Sequence, residues 1–585
     1  MNSAAAAAKA LLGIDRLILS IPDAACPWSA GEDLGRGSLY AAATEAFLKR
    51  MVALGFTGIQ VTPPGRTSPV NPSPYDGSFF SRNELTVRAY DLLDDELLRS
   101  HLSSTRLDAA LERMEQIYGP TDHRVVNHSD VHGRSNVFLE SVHREVDSAL
   151  TRGLAPALKA ELSRFQSTHA SWLPWDRAFA ARYQPSLARG EAIPRYDLDQ
   201  FLVHRQHERF RRRLGNLNLE LWGDLQVGMG PADQERLRHW FLPNYRMGAP
   251  PSRTNPRGQP WGFPVYHPKH WGPNGGARRV FVERLHKLAG EYDGLRVDHP
   301  HGLVCPWVYR TDTSETDQVA VQRGARLFES PDLEDHPILQ GFARVTRNDL
   351  NPSSSCPRYA DDWVVHLDDA TVEIYAELMS LVVSALDGRL ACEVLSTEPY
   401  PLKRVRERLR LGRFMVTQKA DPDDPEDVYR SERASVRDWV MMGNHDTPTI
   451  WGRIREWSRS GQREREALYL GRRLHRLEPD LTIRELLSSD FHLAQAKLTD
   501  LFLSPARNVV VFFGDLFGIR EPYNRPGVVA PENWSLRVPS KESAPSLDLP
   551  AALADALAAK AIGDDSLVEQ LRSMSFSVQK PHQVG

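Results

Sequence analysis

The sequence is poor in cysteine and close to neutral. Cys26, Cys305, Cys356 and Cys392 are its only four thiols in 585 residues, and no two form a CxxC pair. That scatter argues against a disulfide framework or a structural zinc site and fits a reducing compartment. The formal net charge of -4 gives no electrostatic basis for binding nucleic acid or an anionic membrane. No apolar run is long enough to span a bilayer. The Ala4–Ala8 run lacks the charged start and long apolar segment of a signal peptide. Gly-rich loops of the P-loop or dinucleotide type are missing. His299, His301 and His445 do not have HxxxH spacing. These absences predict a cytoplasmic protein with no cofactor, no metal, no nucleic acid and no membrane partner.

What is present is a succession of short apolar strands separated by helices. Strand-like runs fall at 17–21, 58–62, 219–225, 295–298, 389–393, 413–418, 439–442 and 508–513. The first two flank a helix over 41–54 in a βαβ unit, which implies a parallel sheet. About eight such strands with intervening helices specify a closed (β/α)8 TIM barrel of the α/β class, carrying inserted, largely helical subdomains. Leu107, Leu111, Met114 and Tyr118 recur at helical spacing. Residues 86–213 are therefore expected to form a helical insertion. Residues 310–360 are aperiodic and rich in Asp, Ser and Thr, and are expected to overhang one rim. The catalytic barrel is expected to occupy 1–540, followed by a fraying helical tail over 541–585. The Pro-, Gly- and Trp-rich stretch 248–273 reads as a long functional loop.

Catalysis on such barrels takes place at the C-terminal tips of the strands. Asp224, Asp298 and Glu393 end three of them, and a fourth runs into Asn444-His445-Asp446. Carboxylates are depleted inside strands. One strand-end acid is most often a cap for the next helix, but four with Arg and His beside them point to a site. Arg296 and Asp298 are two apart and share a strand face. The Arg should keep Asp298 ionised, which suits a nucleophile. Glu393 follows Ala391 and Cys392, and an apolar pocket should raise its pKa, which suits a general acid. Two such carboxyls about 5 Å apart are the machinery of retaining glycoside chemistry. Asp446 could grip sugar hydroxyls. Trp222, Trp261, Trp307 and Trp451 lie near these loops. Aromatic faces stack on sugars, although most Trp is core. The Arg-rich stretches 211–213 and 453–476 read as solvated helix faces.

The segment Asp293-Gly294-Leu295-Arg296-Val297-Asp298-His299 resembles the nucleophile strand of the amylomaltases, the 4-α-glucanotransferases of glycoside hydrolase family 77. The likeness runs in order through Ser73-Pro74-Tyr75, Gly223-Asp224-Leu225 and Gly248-Ala249-Pro250-Pro251. It continues through Gly258-Gln259-Pro260-Trp261-Gly262, Gly443-Asn444-His445-Asp446-Thr447, Asn524-Arg525-Pro526-Gly527 and Asn533-Trp534. The resemblance implies a nucleophile at Asp298, an acid/base at Glu393 and a transition-state stabiliser at Asp446. It implies substrate contacts at Tyr75, Asp224, Gln259, Trp261, Arg296, His299 and His445. The substrates it implies are α-1,4-glucans and maltooligosaccharides, with glucose or a maltooligosaccharide as acceptor. The sequence departs from the family pattern at Pro300 and His301, at Val394, and at Arg253 and Thr254, which replace an aromatic pair in the lid. An α-glucan hydrolase and a non-catalytic glucan-binding protein are the alternatives.

Overall fold

The computed structural model describes residues 3–575 apart from 30, 254, 475–478, 539 and 541–542. In chain order its strands are β1 (Arg16–Ser20), β2 (Gly58–Gln60), β3 (Glu220–Leu225), β4 (Phe241–Ala249), β5 (Gln259–Tyr266) and β6 (Gly294–Val297). They continue with β7 (Trp307–Arg310), β8 (Ala325–Arg326), β9 (Leu390–Cys392), β10 (Phe414–Val416), β11 (Trp439–Met441) and β12 (Asn508–Phe512). Eight of them pair in parallel in the order β10-β11-β12-β1-β2-β3-β6-β9. The Phe414 N–H donates to the Val394 carbonyl at 3.2 Å across the remaining seam, so the sheet curls into a (β/α)8 barrel. These eight strands lie at the eight apolar runs read from the sequence.

Both faces of a parallel sheet are covered, so its strands are continuous apolar runs rather than alternating ones. Asn508–Phe512 is buried at every position. Inside the barrel, Ile18, Trp222, Ala391, Phe414, Val416, Trp439, Met441 and Val510 pack as one cluster. Trp222 and Trp439 meet with ring centroids 4.8 Å apart. Gly294 is required beside them, because a Cβ there would meet Trp222 ring atoms at 2.7 Å.

Between β2 and β3 the chain forms the helices Ser104–Tyr118, His128–Thr151, Pro156–Thr168, Leu173–Tyr183 and Arg195–Asn216. Their apolar stripes, among them Leu107, Phe138, Val142 and Leu202, are buried.

Three expectations need correction. The stretch 248–273 is not one long loop. β4 and β5 form an antiparallel hairpin in a second sheet of order β5-β4-β7-β8. Pro260 and Pro264 are tolerated because β5 is the outer strand of that sheet. The aperiodic segment from Arg310 onward carries elements of its own and is packed. β8 pairs with β7, and Phe328, Leu339, Val345, Leu350 and Val364 enter the core. The tail does not fray where it is described. The helix Leu549–Lys560 buries Leu549, Leu553 and Leu557 completely, because its Ala and Leu residues make it apolar all round. It packs against the helices Asp490–Leu503 and Ser3–Leu12, the latter holding the buried Ala4, Ala5 and Ala8. The polar end, 576–585, lies outside the described residues, as do Thr254 and Pro539.

The Arg-rich stretches are largely ion-paired, for example Arg211 with Asp293, Arg463 with Asp490 and Arg473 with Asp500. Arg476 lies outside the described residues. Among the described residues, no helix is long and apolar enough to cross a membrane.

Candidate active site

The carboxylates stand where the barrel ladder ends. Asp298 follows the last residue of β6, and its N–H donates to the Leu225 carbonyl at 3.1 Å. Glu393 follows β9, and its N–H donates to the Val297 carbonyl at 3.0 Å. Each backbone is therefore pinned to the neighbouring strand while the side chain projects past the sheet. Asp224 lies near the end of β3, and Asp446 in the loop after β11.

Arg296, buried on β6, holds this group together. Its Nη1 donates to Asp224 Oδ2 at 2.6 Å and to the Tyr75 hydroxyl at 3.1 Å. Its Nη2 lies 2.7 Å from Glu393 Oε2 and 3.2 Å from Asp298 Oδ1. Tyr75 donates its O–H to Asp224 Oδ2 at 2.7 Å. The Val227 N–H donates to Asp298 Oδ2 at 3.2 Å. Among the described residues, Asp298, His299 and Glu393 offer ligand atoms within 4.8 Å of one another, a spacing that could hold a metal. Arg296 already sets a fixed cation against both carboxylates of that trio, so the residues do not fit a second one.

His299 has a positive φ of 41°, uncommon for a residue other than glycine. The backbone there sets its Nδ1 3.6 Å from Glu393 Oε2. Its ring stands edge-on to Trp261, with centroids 4.8 Å apart. Asp446 accepts from Asn524 Nδ2 at 2.6 Å and lies 3.4 Å from His445 Nε2. Tyr75, His445 and Trp534 form an aromatic layer with centroids 5.2–5.7 Å apart.

The electrostatics reverse one expectation. Burial pushes Glu393 up, but Arg296, His299 and His445 together hold it well below the usual carboxylate range. Burial also pushes Asp298 up; Arg296 opposes this and the Glu393 charge adds to it, leaving Asp298 above its ordinary value. Sequence reasoning gave Arg296 to Asp298 as the sequence neighbour. In space its guanidinium lies closer to Glu393, and the apolar pocket that Ala391 and Cys392 implied is replaced by cations. Burial lifts Asp224 to about 7, despite Arg296. His445 is lowered by burial but raised overall by Asp446.

The structure therefore brings together Tyr75, Asp224, Arg296, Asp298, His299, Glu393, His445 and Asp446, with Trp261 against His299. Gln259 does not join them. Its side chain lies against Gly527, where a Cβ would come within 3.1 Å of Nε2. Trp222, Trp307 and Trp451 are buried packing residues. Sequence reasoning missed Asn524 and Asn444 as partners of the carboxylates; Asn444 Nδ2 donates to Glu393 Oε1 at 3.5 Å. Both lie in motifs whose order was visible but whose contacts were not.

The profile of the 4-alpha-glucanotransferase family (glycoside hydrolase family 77) matches residues 29–542. A chloroplastic/amyloplastic 4-alpha-glucanotransferase of Solanum tuberosum is 21% identical over 527 residues, 84% of this chain and 77% of that protein. One from Oryza sativa subsp. japonica is 24% identical over 296 residues, 46% of this chain, so the match spans about half (48%) of the rice protein's length. Among solved structures, an amylomaltase from Streptococcus agalactiae in complex with acarbose aligns with a TM-score of 0.67 at 17% identity, covering 94% of this chain and 100% of that one. Amylomaltase from Corynebacterium glutamicum gives 0.61 at 17% identity, covering 95% and 76%. At such identities these two structures speak to the fold.

Proposed function

The chain belongs to the 4-alpha-glucanotransferase family, and from that premise we propose that it cleaves α-1,4 bonds of glucans by a retaining mechanism and transfers the glycosyl unit from Asp298 to another sugar. The observation that carries this is the facing pair Asp298 and Glu393, bridged by Arg296, with carboxylate atoms within 4.8 Å. Retaining glycosidases hold their two carboxyls about 5–5.5 Å apart.

In the first half-reaction an Asp298 oxygen bonds to C1 as the C1–O bond to the leaving sugar breaks, and Glu393 gives its proton to the departing sugar oxygen. In the second, the acceptor hydroxyl returns a proton to Glu393, bonds to C1 and releases Asp298 as the carboxylate. The acceptor is glucose or a maltooligosaccharide. This sequence needs the pair's proton on Glu393 and its charge on Asp298, against the directions in which their surroundings shift the two carboxyls. Positive charge developing at C1 beside Asp298 favours the Asp298 anion and draws the proton to Glu393. Asp446, steadied by Asn524 and His445, binds hydroxyls of the distorting ring. Tyr75, Asp224, His299 and Trp261 shape the surrounding wall, and Gln259 serves the rim.

The same reading treats 1–540 as the catalytic barrel interrupted by 86–213 and 310–360, with 541–585 as a tail. The unpaired thiols are consistent with a cytoplasmic setting.

Pure maltotriose is the test. Transfer yields glucose together with chains longer than three units, and products of maltose and glucose alone would refute it. Asp298→Asn should lower turnover by several orders of magnitude with the melting transition retained. Near-normal turnover in that variant would remove Asp298 from the role.

A further inference from the structure

Beyond β10 the chain turns through a short helix, Thr417–Lys419. This turn is rigidly held. The Thr417 carbonyl accepts from the buried Lys497 at 3.2 Å, the Gln418 N–H donates to the Met442 carbonyl at 3.2 Å, and Gln418 Nε2 donates to the Pro448 carbonyl at 2.9 Å. β10 pairs with β11, which leads into the Asp446 loop. On its other side it is joined to the Glu393 segment through Val394. Lys419 therefore leaves the barrel rim between the strand ends that carry Glu393 and Asp446.

Its surroundings form a wall. The Lys419 ammonium lies 5.9 Å from the centroid of the Tyr429 ring, and the Arg253 guanidinium lies at the same distance from that ring. Tyr429 is buried, and its hydroxyl accepts the Ser396 N–H at 3.0 Å, three residues past Glu393. Arg253 is tied to the buried Asp427 at 3.0 Å. Lys419 has no such tie: among the described residues its ammonium makes no hydrogen bond or ion pair. Its three donors are therefore free to meet a ligand in place of water. The charges that act on it most are Glu393 and Asp446.

We infer that Lys419 is a substrate-binding residue that donates hydrogen bonds to hydroxyls of the glucosyl unit on the Glu393 side. That unit is the leaving sugar in the first half-reaction and the acceptor in the second. The assignment rests on Glu393 being the acid/base, because that group faces the departing and arriving oxygen. A lysine there only to balance charge would affect both half-reactions equally, whereas a ligand of the acceptor acts on acceptor saturation.

The experiment uses α-glucosyl fluoride as donor, whose leaving group needs no proton and carries no second sugar, with glucose as acceptor. Lys419→Met should raise the glucose concentration for half-maximal transfer by on the order of tenfold, the loss expected for a hydrogen bond from a charged group. Fluoride release without added sugar should fall by a smaller factor. Lys419→Gln, which keeps a donor, should fall between the two and provides the comparison if the Met variant does not fold. Equal losses in both assays, or an unshifted half-saturation in either folded variant, would overturn the assignment. A wild type that does not consume the fluoride would instead overturn the reading of Asp298 and Glu393 on which it rests.

Discussion

At the scale of single residues the site is a problem of sharing one guanidinium. Arg296 lies against Asp224, Asp298 and Glu393, and removing it would leave buried carboxylates without their counter-charge. Glu393→Gln tests the proton assignment separately. It should cripple turnover of maltotriose while hurting α-glucosyl fluoride much less, and equal losses would deny Glu393 the acid role. The His445–Asp446 pair makes a pH prediction whose sign follows from two opposite shifts. Asp446 raises the proton affinity of His445 above its ordinary value of 6.5 despite burial, so His445 stabilises the fold fully below about pH 6.5 and loses that contribution as pH rises through its folded value. Asp446 is held below its ordinary value of 3.8, so its contribution is present above about pH 3.8 and lost as pH falls through its folded value. The melting temperatures of wild type and His445→Gln should therefore differ more at about pH 5.5 than at about pH 8.5. A gap that widens toward alkaline pH would contradict the pairing. The residues forming this constellation were legible in the sequence because strand-end carboxylates are rare. The sharing of Arg296 was not legible, since strand periodicity gives the face a side chain occupies but not the distance to a neighbour on another strand.

At the scale of elements, the hairpin β4–β5 brings Trp261 against His299, while the segment that follows β7 packs into the core. The hairpin loop carries Arg253, and its bond to Asp427 ties that loop to the one following β10. Arg253 is 55% exposed while Asp427 is buried, so solvent screens the pair but Arg253→Ala would still leave a buried carboxylate with one partner fewer. Arg253→Ala should therefore speed backbone hydrogen exchange over residues 250–258, raise the share of hydrolysis on maltotriose and lower the melting temperature modestly. Unaltered exchange in that loop would show the tie is incidental. The segment after β7 behaves differently. A Gly-Ser linker in place of 310–359 would remove β8, Phe328, Leu339 and Leu350 from the core, so the expected outcome is loss of the fold, seen as the absence of a cooperative melting transition. The sequence concealed this because the segment has neither helical nor strand period. Its buried residues are spaced by turns, and turn geometry leaves no periodic trace.

At the scale of the whole molecule, the helices Ser3–Leu12 and Leu549–Lys560 pack together outside the barrel. The helix Leu549–Lys560 follows a cap in which Asp548 accepts the Ala551 N–H at 2.9 Å, and it lies between the N-terminal helix Ser3–Leu12 and the helix Asp490–Leu503. The latter helix leads directly into β12, which pairs with β1 and β11. A helix was expected in this tail, but alanine gives no amphipathic contrast from which its packing could be read. In fact the contrast is lost because the helix is covered on nearly every side, with Ala552, Leu553, Ala554, Ala556 and Leu557 all fully buried. A helix that only decorated the surface would tolerate truncation of one leucine at little cost. One that belongs to the core would not: Leu553→Ala removes buried methyl groups from a close-packed site and should cost about 2–5 kcal/mol. The helix packs on other helices, among them Asp490–Leu503 and Ser3–Leu12, so the loss should appear in denaturant or thermal unfolding. At temperatures where the variant remains folded, its glucose half-saturation in the transfer assay should match wild type. If Leu553→Ala unfolds at the wild-type midpoint, the tail does not contribute to the core. If it retains stability but shifts acceptor saturation, the helix communicates with the site by a route that the packing does not account for.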